Sequence, residues 1–373
     1  MYAGVDGNPT YQADPSMAKF APRVGFAWTL NTDTVVRGGY GLFWAPPQYP
    51  YPTESRMGTR GYTATTSYFA SADNGLTPAG TLTNPFPSGI EQPKGNAGGM
   101  LTGAGGNVDF VDQLSKPAYV HQYSIDMQRQ LPGSMAVHLG YIGTRGENLM
   151  YNGTNASTIN INQLDPKYQA LGTALLDPLP NPFRGNPAFG ALSGPATLTR
   201  GQLLRPYPQF LNVNAHRVSG AQSRYHSMVV KFERRIRDGW GFNTNYTWSN
   251  LKDNQIGEGN FFAQWSSTPL NNYDLDREYA ISLLDTPHRI NISVTYELPF
   301  GQGKRFMNRG GIANLLLGGW QLSGIGAYQS GFPAQVFQSN NNSGLFGSGQ
   351  RPNIVSGVDP NTSGSTEERL NNW

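Results

Sequence analysis

Between Thr286 and Phe300 hydrophobic and polar residues take turns one by one. Ile290, Ile292, Val294, Tyr296 and Leu298 hold the even positions, with Asn291, Ser293, Thr295 and Glu297 between them. A β-strand points successive side chains to opposite faces, so this period predicts a strand with one apolar and one polar side. The same period recurs in pairs of segments. Val24, Phe26, Trp28 and Leu30 precede a turn at Asn31-Thr32-Asp33, and Val36, Tyr40, Leu42 and Trp44 resume after it. Tyr123, Ile125 and Met127 lead to Pro132-Gly133-Ser134 and then to Val137, Leu139 and Tyr141. Met228, Val230 and Phe232 lead to Arg237-Asp238-Gly239 and then to Phe242, Thr244, Tyr246 and Trp248. Alternating runs bounded by Gly, Pro, Asn and Asp read as hairpins. Strands are expected at about 22–30, 34–44, 118–130, 135–145, 224–236, 240–252, 286–299 and 319–331, the last pair joined by a Gly-rich connection at 301–318.

The stretches 45–116, 146–222 and 253–285 carry no sustained period and are expected to be irregular loops. Loops of that length are uncommon inside a compact soluble domain. A repeated order of strand, short connection, strand and long loop puts all short connections at one end of an antiparallel up-and-down sheet. Two architectures fit such strands. In a soluble sandwich the apolar face looks into a core, and a carbohydrate-binding module of that kind would stack its aromatics on sugars. In an outer-membrane barrel the apolar face meets lipid and the polar face an aqueous lumen, with tight turns at one end and long loops at the other. The loops favour an all-β, antiparallel up-and-down transmembrane β-barrel, here about eight strands of a larger barrel. Arg37, Asp126, Lys231, Glu233, Asn243, Asn245, Asn291 and Glu297 are then expected to face the lumen. Charges of both signs there predict a packed or plugged interior. Trp28 and Trp44 are placed to serve as interfacial aromatics.

Composition sharpens this reading. Only 14% of the residues are charged, against about a quarter in typical soluble domains, yet 12% are aromatic, which disordered chains are not. The 46 glycines and 27 prolines suit strands joined by long polar connections. No run of Lys and Arg accompanies the net charge of +3, so a nucleic-acid partner is not implied. No apolar run approaches the length of a membrane helix, which a barrel would not need. The first residues lack a basic and an apolar leader segment, and the last do not end an alternating strand, so both ends are expected to be cut points of a longer protein.

The chemistry-bearing residues point away from catalysis. There is no cysteine. His121, His138, His216, His226 and His288 are scattered, without a ligating pair, and are expected to be lumen or interface residues rather than metal ligands. Asp274, Asp276, Glu278 and Asp285 crowd one loop and could take Ca²⁺ through oxygen, but pairing with Arg277 and Arg289 is the simpler expectation. Gly301-Gln-Gly-Lys-Arg305 lacks phosphate-loop spacing and reads as a turn, and the Gly-rich run at 95–106 as a loop. No cofactor or metal is called for. The loop aromatics Tyr49, Tyr51, Phe261, Phe262, Trp265 and Tyr273 are the candidate ligand contacts.

Several segments resemble the barrel of TonB-dependent outer-membrane receptors, in particular the Oar-like group, whose full-length members carry a carboxypeptidase-regulatory-like domain. These are Phe20-Ala-Pro-Arg-Val-Gly-Phe26, Val35-Val-Arg-Gly-Gly-Tyr-Gly-Leu-Phe43, Leu204-Arg-Pro-Tyr-Pro-Gln-Phe210, Tyr225-His-Ser-Met-Val-Val-Lys-Phe-Glu-Arg-Arg235, Asn245-Tyr-Thr-Trp-Ser249, Asp285-Thr-Pro-His-Arg289, Leu298-Pro-Phe-Gly-Gln-Gly-Lys-Arg-Phe306 and Leu317-Gly-Gly-Trp-Gln-Leu-Ser-Gly324. The resemblance implies an integral outer-membrane protein of a Gram-negative-type bacterium, surrounded by outer-membrane lipid. It implies binding of an unidentified ligand at the outer loops and its passage through the barrel when a TonB complex pulls a plug. Signal sequence, plug and TonB box have no counterpart here. A structural or adhesive barrel without transport is the alternative within the same fold.

Overall fold

The structure is a computed structural model that describes residues 18–45, 61–68, 71, 73–87, 89–95, 97–151, 159–255, 269–333, 336, 351–353, 355–357 and 367–368. Eight long antiparallel strands build one sheet, each paired with the next in the chain. They are β1 (Arg23–Asn31), β2 (Thr34–Trp44), β3 (Tyr119–Leu131), β4 (Met135–Met150), β5 (Ser219–Arg237), β6 (Trp240–Asp253), β7 (His288–Glu297) and β8 (Gln321–Gln329). The two-residue strand Ala280–Ile281 adds to β6. Three hairpin turns lie at one end. In the third, Asp238 and Gly239 both have positive φ, 56° and 86°, as a turn matched to the twist of its flanking strands requires. In the first, the Asn31 side chain accepts the Asp33 amide at 3.0 Å.

The fourth connection at that end is not short. Residues 298–320 fold into a turn closed by Gly301 N–H to Phe306 O, 3.0 Å, followed by a helix, α2 (Ile312–Leu317). β4 runs on past 145 to Met150, and β5 begins at Ser219 rather than 224, because the two go on pairing through register shifts between Ser219 and Ser223. β7 and β8 are shorter than expected by a few residues at their ends.

No second sheet covers either face of this wall among the described residues. Trp28, Trp248 and Ile325 are 62%, 54% and 88% exposed, so the sandwich alternative, which needs a partner sheet about 10 Å away, does not hold. Among the described residues the wall is open: β1 and β8 each pair on one side only.

The long connections are not irregular throughout. Val108–Val111 pairs parallel with Val213–His216, which pairs antiparallel with Ile159–Asn160. Pro178–Pro180 pairs with Thr197–Thr199, and a short helix, α1 (Arg200–Leu203), follows. Two 3₁₀ segments, Pro166–Leu176 and Pro187–Leu192, start in the same way. Asp165 and Asn186 accept the amides of Lys167 and Ala188 at 2.9 and 3.0 Å, and each is followed by a proline whose missing N–H costs nothing in the first turn. These pieces form a platform at the long-loop end with its own interior. Leu164 and Leu175 are fully buried there, with Tyr168 and Leu204 packed against them. Tyr151, Ile159 and Ala221 make a second cluster where the platform meets β4 and β5.

Candidate ligand-binding face and loop cleft

Register decides which side chains share a face. Arg37 stands opposite Asp126, Asp126 opposite Gly140, Gly140 opposite Val229, Val229 opposite Thr247 and Thr247 opposite Arg289. Lys231 faces Asn245, which faces Asn291; Glu233 faces Asn243. Since side chains alternate along each strand, all eight residues expected to face a lumen lie on this one side of the wall. Their charges are partly paired: Lys231 Nζ lies 2.6 Å and His138 Nε2 3.9 Å from Glu233, and Lys304 Nζ lies 2.7 Å from Glu297. Arg37 donates to the Gln128 amide oxygen at 3.3 Å, and Asn245 to Asn243 at 3.1 Å. Near the short-turn end Glu233, Arg235, Asn243, Ser293 and Thr295 line an open recess of about 390 Å³.

The opposite side is apolar through its middle and aromatic at both ends. Toward the long loops Tyr40, Tyr141 and Tyr246 bond the Nδ1 atoms of His121, His226 and His288 at 2.8, 2.7 and 2.9 Å, and the Trp44 ring packs tilted against Tyr119. Each histidine lies two residues before the direct cross-strand partner of its tyrosine, so one geometry is repeated three times across the wall. Toward the short turns Trp240 stacks on Phe242, Phe242 meets Phe232 edge-on, and the Arg234 guanidinium lies 3.8 Å from the Trp240 ring centre. Trp28 and Trp44 fall on this apolar side at opposite ends.

Above the wall, the platform is held by polar side chains that bond backbone. The segment Leu204-Arg-Pro-Tyr-Pro-Gln-Phe210 has two prolines, hence carbonyls with few local donors. Buried Asn162 gives its amide hydrogens to the carbonyls of Tyr207 and Phe210 at 3.0 and 3.1 Å and takes the Tyr207 N–H at 2.8 Å. Gln202 donates to Pro208 and Phe210 at 2.9 and 3.0 Å, and Arg205 donates to the Leu211 carbonyl. Burial lowers the Arg205 guanidinium to about 10, still charged at neutral pH. Asn181 ties down its own loop through Leu192 and Pro195, both at 2.7 Å. Alternation could not reveal these four residues. The usable signal was the proline-rich segment itself, whose carbonyls need donors from elsewhere.

A cleft of about 570 Å³ opens between two loops of this end. Thr63, Thr65, Glu91, Gln92, Lys94 and Thr102 line one side, and Pro187, Ala188 and Gly190 the other. The loops approach so closely that a side chain on Gly105, at φ 77°, would run into the Phe189 carbonyl. Of the candidate ligand contacts, Tyr273 is described: its hydroxyl donates to the Gln163 carbonyl at 3.0 Å, its ring is half exposed, and burial together with nearby Asp165 raises its pKa. Tyr49, Tyr51, Phe261, Phe262 and Trp265 lie outside the described residues. The acidic loop departs from expectation. Glu278 pairs with distant Arg351 and accepts the Leu270 amide, and buried Asp285 accepts the Leu251 amide at 2.7 Å. Among the described residues no three acidic, His or Cys groups come together as a metal set. His216 is neither in the wall nor at an interface with lipid; it is buried in the platform, 3.2 Å from Asp109.

The profile of the family described as outer membrane beta barrel domain matches residues 1–373. No curated protein matches the chain. Among solved structures it is similar to FpvA of Pseudomonas aeruginosa bound to heterologous pyoverdines, with a TM-score of 0.36 and 12% identity over 87% of this chain and 24% of that one. The alcaligin outer-membrane receptor FauA of Bordetella pertussis gives 0.28 and 13% over 76% and 27%. The siderophore receptor PirA of P. aeruginosa gives 0.28 and 9% over 83% and 42%. The chain thus spans 24% and 27% of the first two receptors' lengths.

Proposed function

The chain belongs to the outer membrane beta barrel domain family and resides in the outer membrane, and from that premise we propose that it supplies wall and outer loops to a TonB-dependent receptor of the Oar-like group. In this reading the apolar side meets lipid, and Arg37, Asp126, Lys231, Glu233, Asn243, Asn245, Asn291 and Glu297 line the lumen. The long-loop end faces outward, as in outer-membrane barrels generally. One observation carries the proposal: a platform with its own buried polar pins stands on the long-loop end of the wall and opens on a cleft. A purely structural barrel has no need of so firmly built a surface.

The ligand would bind first at that end, among Tyr273, the cleft and the loops that carry Tyr49, Tyr51, Phe261, Phe262 and Trp265. It would then pass along a polar wall whose paired charges favour neither cations nor anions. Thr63, Thr65, Gln92 and Thr102 line the cleft with uncharged polar side chains, and among the described residues Glu91 and Lys94 are its charged lining, which suits a polar ligand of low net charge. Passage needs a plug, which the full-length receptor of this reading would carry, and a separate TonB complex that pulls it. Binding strong at the loops and weaker along the wall accounts for uptake without any covalent step.

The test is genetic. Deleting the gene in its host, and separately its energising complex, is followed by growth on single limiting iron chelates, oligosaccharides and short peptides. One nutrient whose uptake needs both genes is the expected result. Unchanged uptake of all of them would overturn transport and leave the structural or adhesive barrel.

A further inference from the structure

We propose that the connection 298–320 is a membrane-interface foot that seats the short-turn end of the wall in the anionic inner leaflet of the outer membrane. Its sequence contains Lys304, Arg305 and Arg309 and no Asp or Glu. Its helix α2 (Ile312–Leu317) is almost wholly apolar, yet no described residue covers it: Ile312, Leu315 and Leu316 are 77%, 81% and 62% exposed. These three stand at i, i+3 and i+4, so they form one ridge. The polar residue of the helix is turned the other way, for Asn314 Oδ1 accepts the Gln302 amide at 2.7 Å and its carbonyl the Gly318 amide at 2.9 Å.

The position of Trp320 says which side of the wall the ridge belongs to. Leu298 N–H bonds Trp320 O at 2.9 Å, and both residues continue the alternation that puts Tyr296 and Leu322 on the apolar side. The Trp320 indole N–H then donates to the Leu316 carbonyl at 2.8 Å, clasping the last turn of α2 to that side. Phe300 and Phe306, 38% and 48% exposed, pack on each other beside it. The ridge is therefore continuous with the lipid-facing band and with the aromatic belt of Trp240 and Phe242. Of the three cations, Lys304 is held by Glu297, Arg305 lies over Phe306, and the Arg309 side chain has no partner among the described residues. An apolar ridge, an indole and uncompensated positive charge at the level of the headgroups are the combination that binds an anionic lipid surface.

Because the chain has no cysteine, one introduced thiol gives one reporter. Leu315→Cys and Asn308→Cys are spin-labelled in the full chain, reconstituted in phosphatidylethanolamine vesicles with or without phosphatidylglycerol, and Ile292→Cys marks the mid-wall. The foot predicts that the label at 315 is relaxed by dissolved oxygen far more than by a water-soluble nickel chelate, that the label at 308 behaves oppositely, and that phosphatidylglycerol drives 315 deeper. Arg305→Gln with Arg309→Gln should remove that lipid-dependent deepening while leaving 292 unchanged. A label at 315 open to the chelate, or shielded from both agents while 292 reports lipid, would overturn the foot alone. A label at 292 in water would overturn it together with the orientation of the wall.

Discussion

The wall and the platform are stabilised by opposite arrangements. The wall has two chemically different faces and, among the described residues, no second layer packed on either: Ile292 and Asn291 are neighbours in sequence but stand on its apolar and polar sides. The platform has one solvent and an interior, with Asn162, Gln163 and Leu164 in succession all fully buried. In the wall a side chain's worth depends on which face it takes. In the platform it depends on what its polar atoms reach. The same amide, Asn, therefore stands half-exposed on a polar face at 291 and is a buried clasp at 162.

The largest effect should come from opening that interior. Leu164→Ala is expected to cost about 2–5 kcal/mol, confined to the platform. Hydrogen exchange would show amides of 159–216 losing protection while β6 and β7 keep theirs; equal loss in the wall would show that the two regions fold as one. Next comes the face test. Ile292→Arg, at the middle of the apolar band, should destabilise the reconstituted chain by about 2–4 kcal/mol, whereas Asn291→Arg should stay within about 0.5 kcal/mol. Denaturant titrations in vesicles compare them, and equal costs would erase the distinction between sides.

Gly239→Ala forces a side chain onto a backbone with φ 86° and should cost about 1–2 kcal/mol in the wall with no effect on platform exchange. The smallest effect concerns a loop. Ser71 and the Thr77 amide hydrogen-bond the exposed Asp73 carboxylate and hold it at about 2, below its ordinary 3.8. A lowered carboxyl pKa stabilises the turn above 3.8, and that contribution disappears as pH falls through about 2. Asp73→Asn should remove this acid-range change in the Thr77 amide shift and leave neutral-pH exchange of the wall unaltered.

The two regions also differ in how far they are written in the sequence. Strand alternation makes the wall legible, and Asp238-Gly239 and Pro132-Gly133-Ser134 mark its turns. It fails where β4 continues through Thr144-Arg-Gly-Glu147, since beyond the apolar band nothing enforces a period. It fails again at 298–320, where glycines suggested a plain turn but six of them flank a helix and a compact loop. The platform carries no period because its order comes from side chains clasping backbone: Asn162 reaches Tyr207 and Phe210 far along the chain, while Asn181, Gln202 and Arg205 close their own irregular loops. The pairing of Glu278 with Arg351 was hidden for the same reason. For the candidate site, the polar side of the wall could be listed residue by residue, whereas the cleft lining joins 61–65, 91–104 and 187–190 and could not.

The most direct measurement is a single-cysteine scan of β7 in lipid vesicles with a membrane-impermeant thiol reagent, one variant at each position from Arg289 to Glu297. The two-solvent wall predicts reaction at 289, 291, 293, 295 and 297 and protection at 290, 292, 294 and 296. Uniform reaction along the strand, or the reverse alternation, would contradict it.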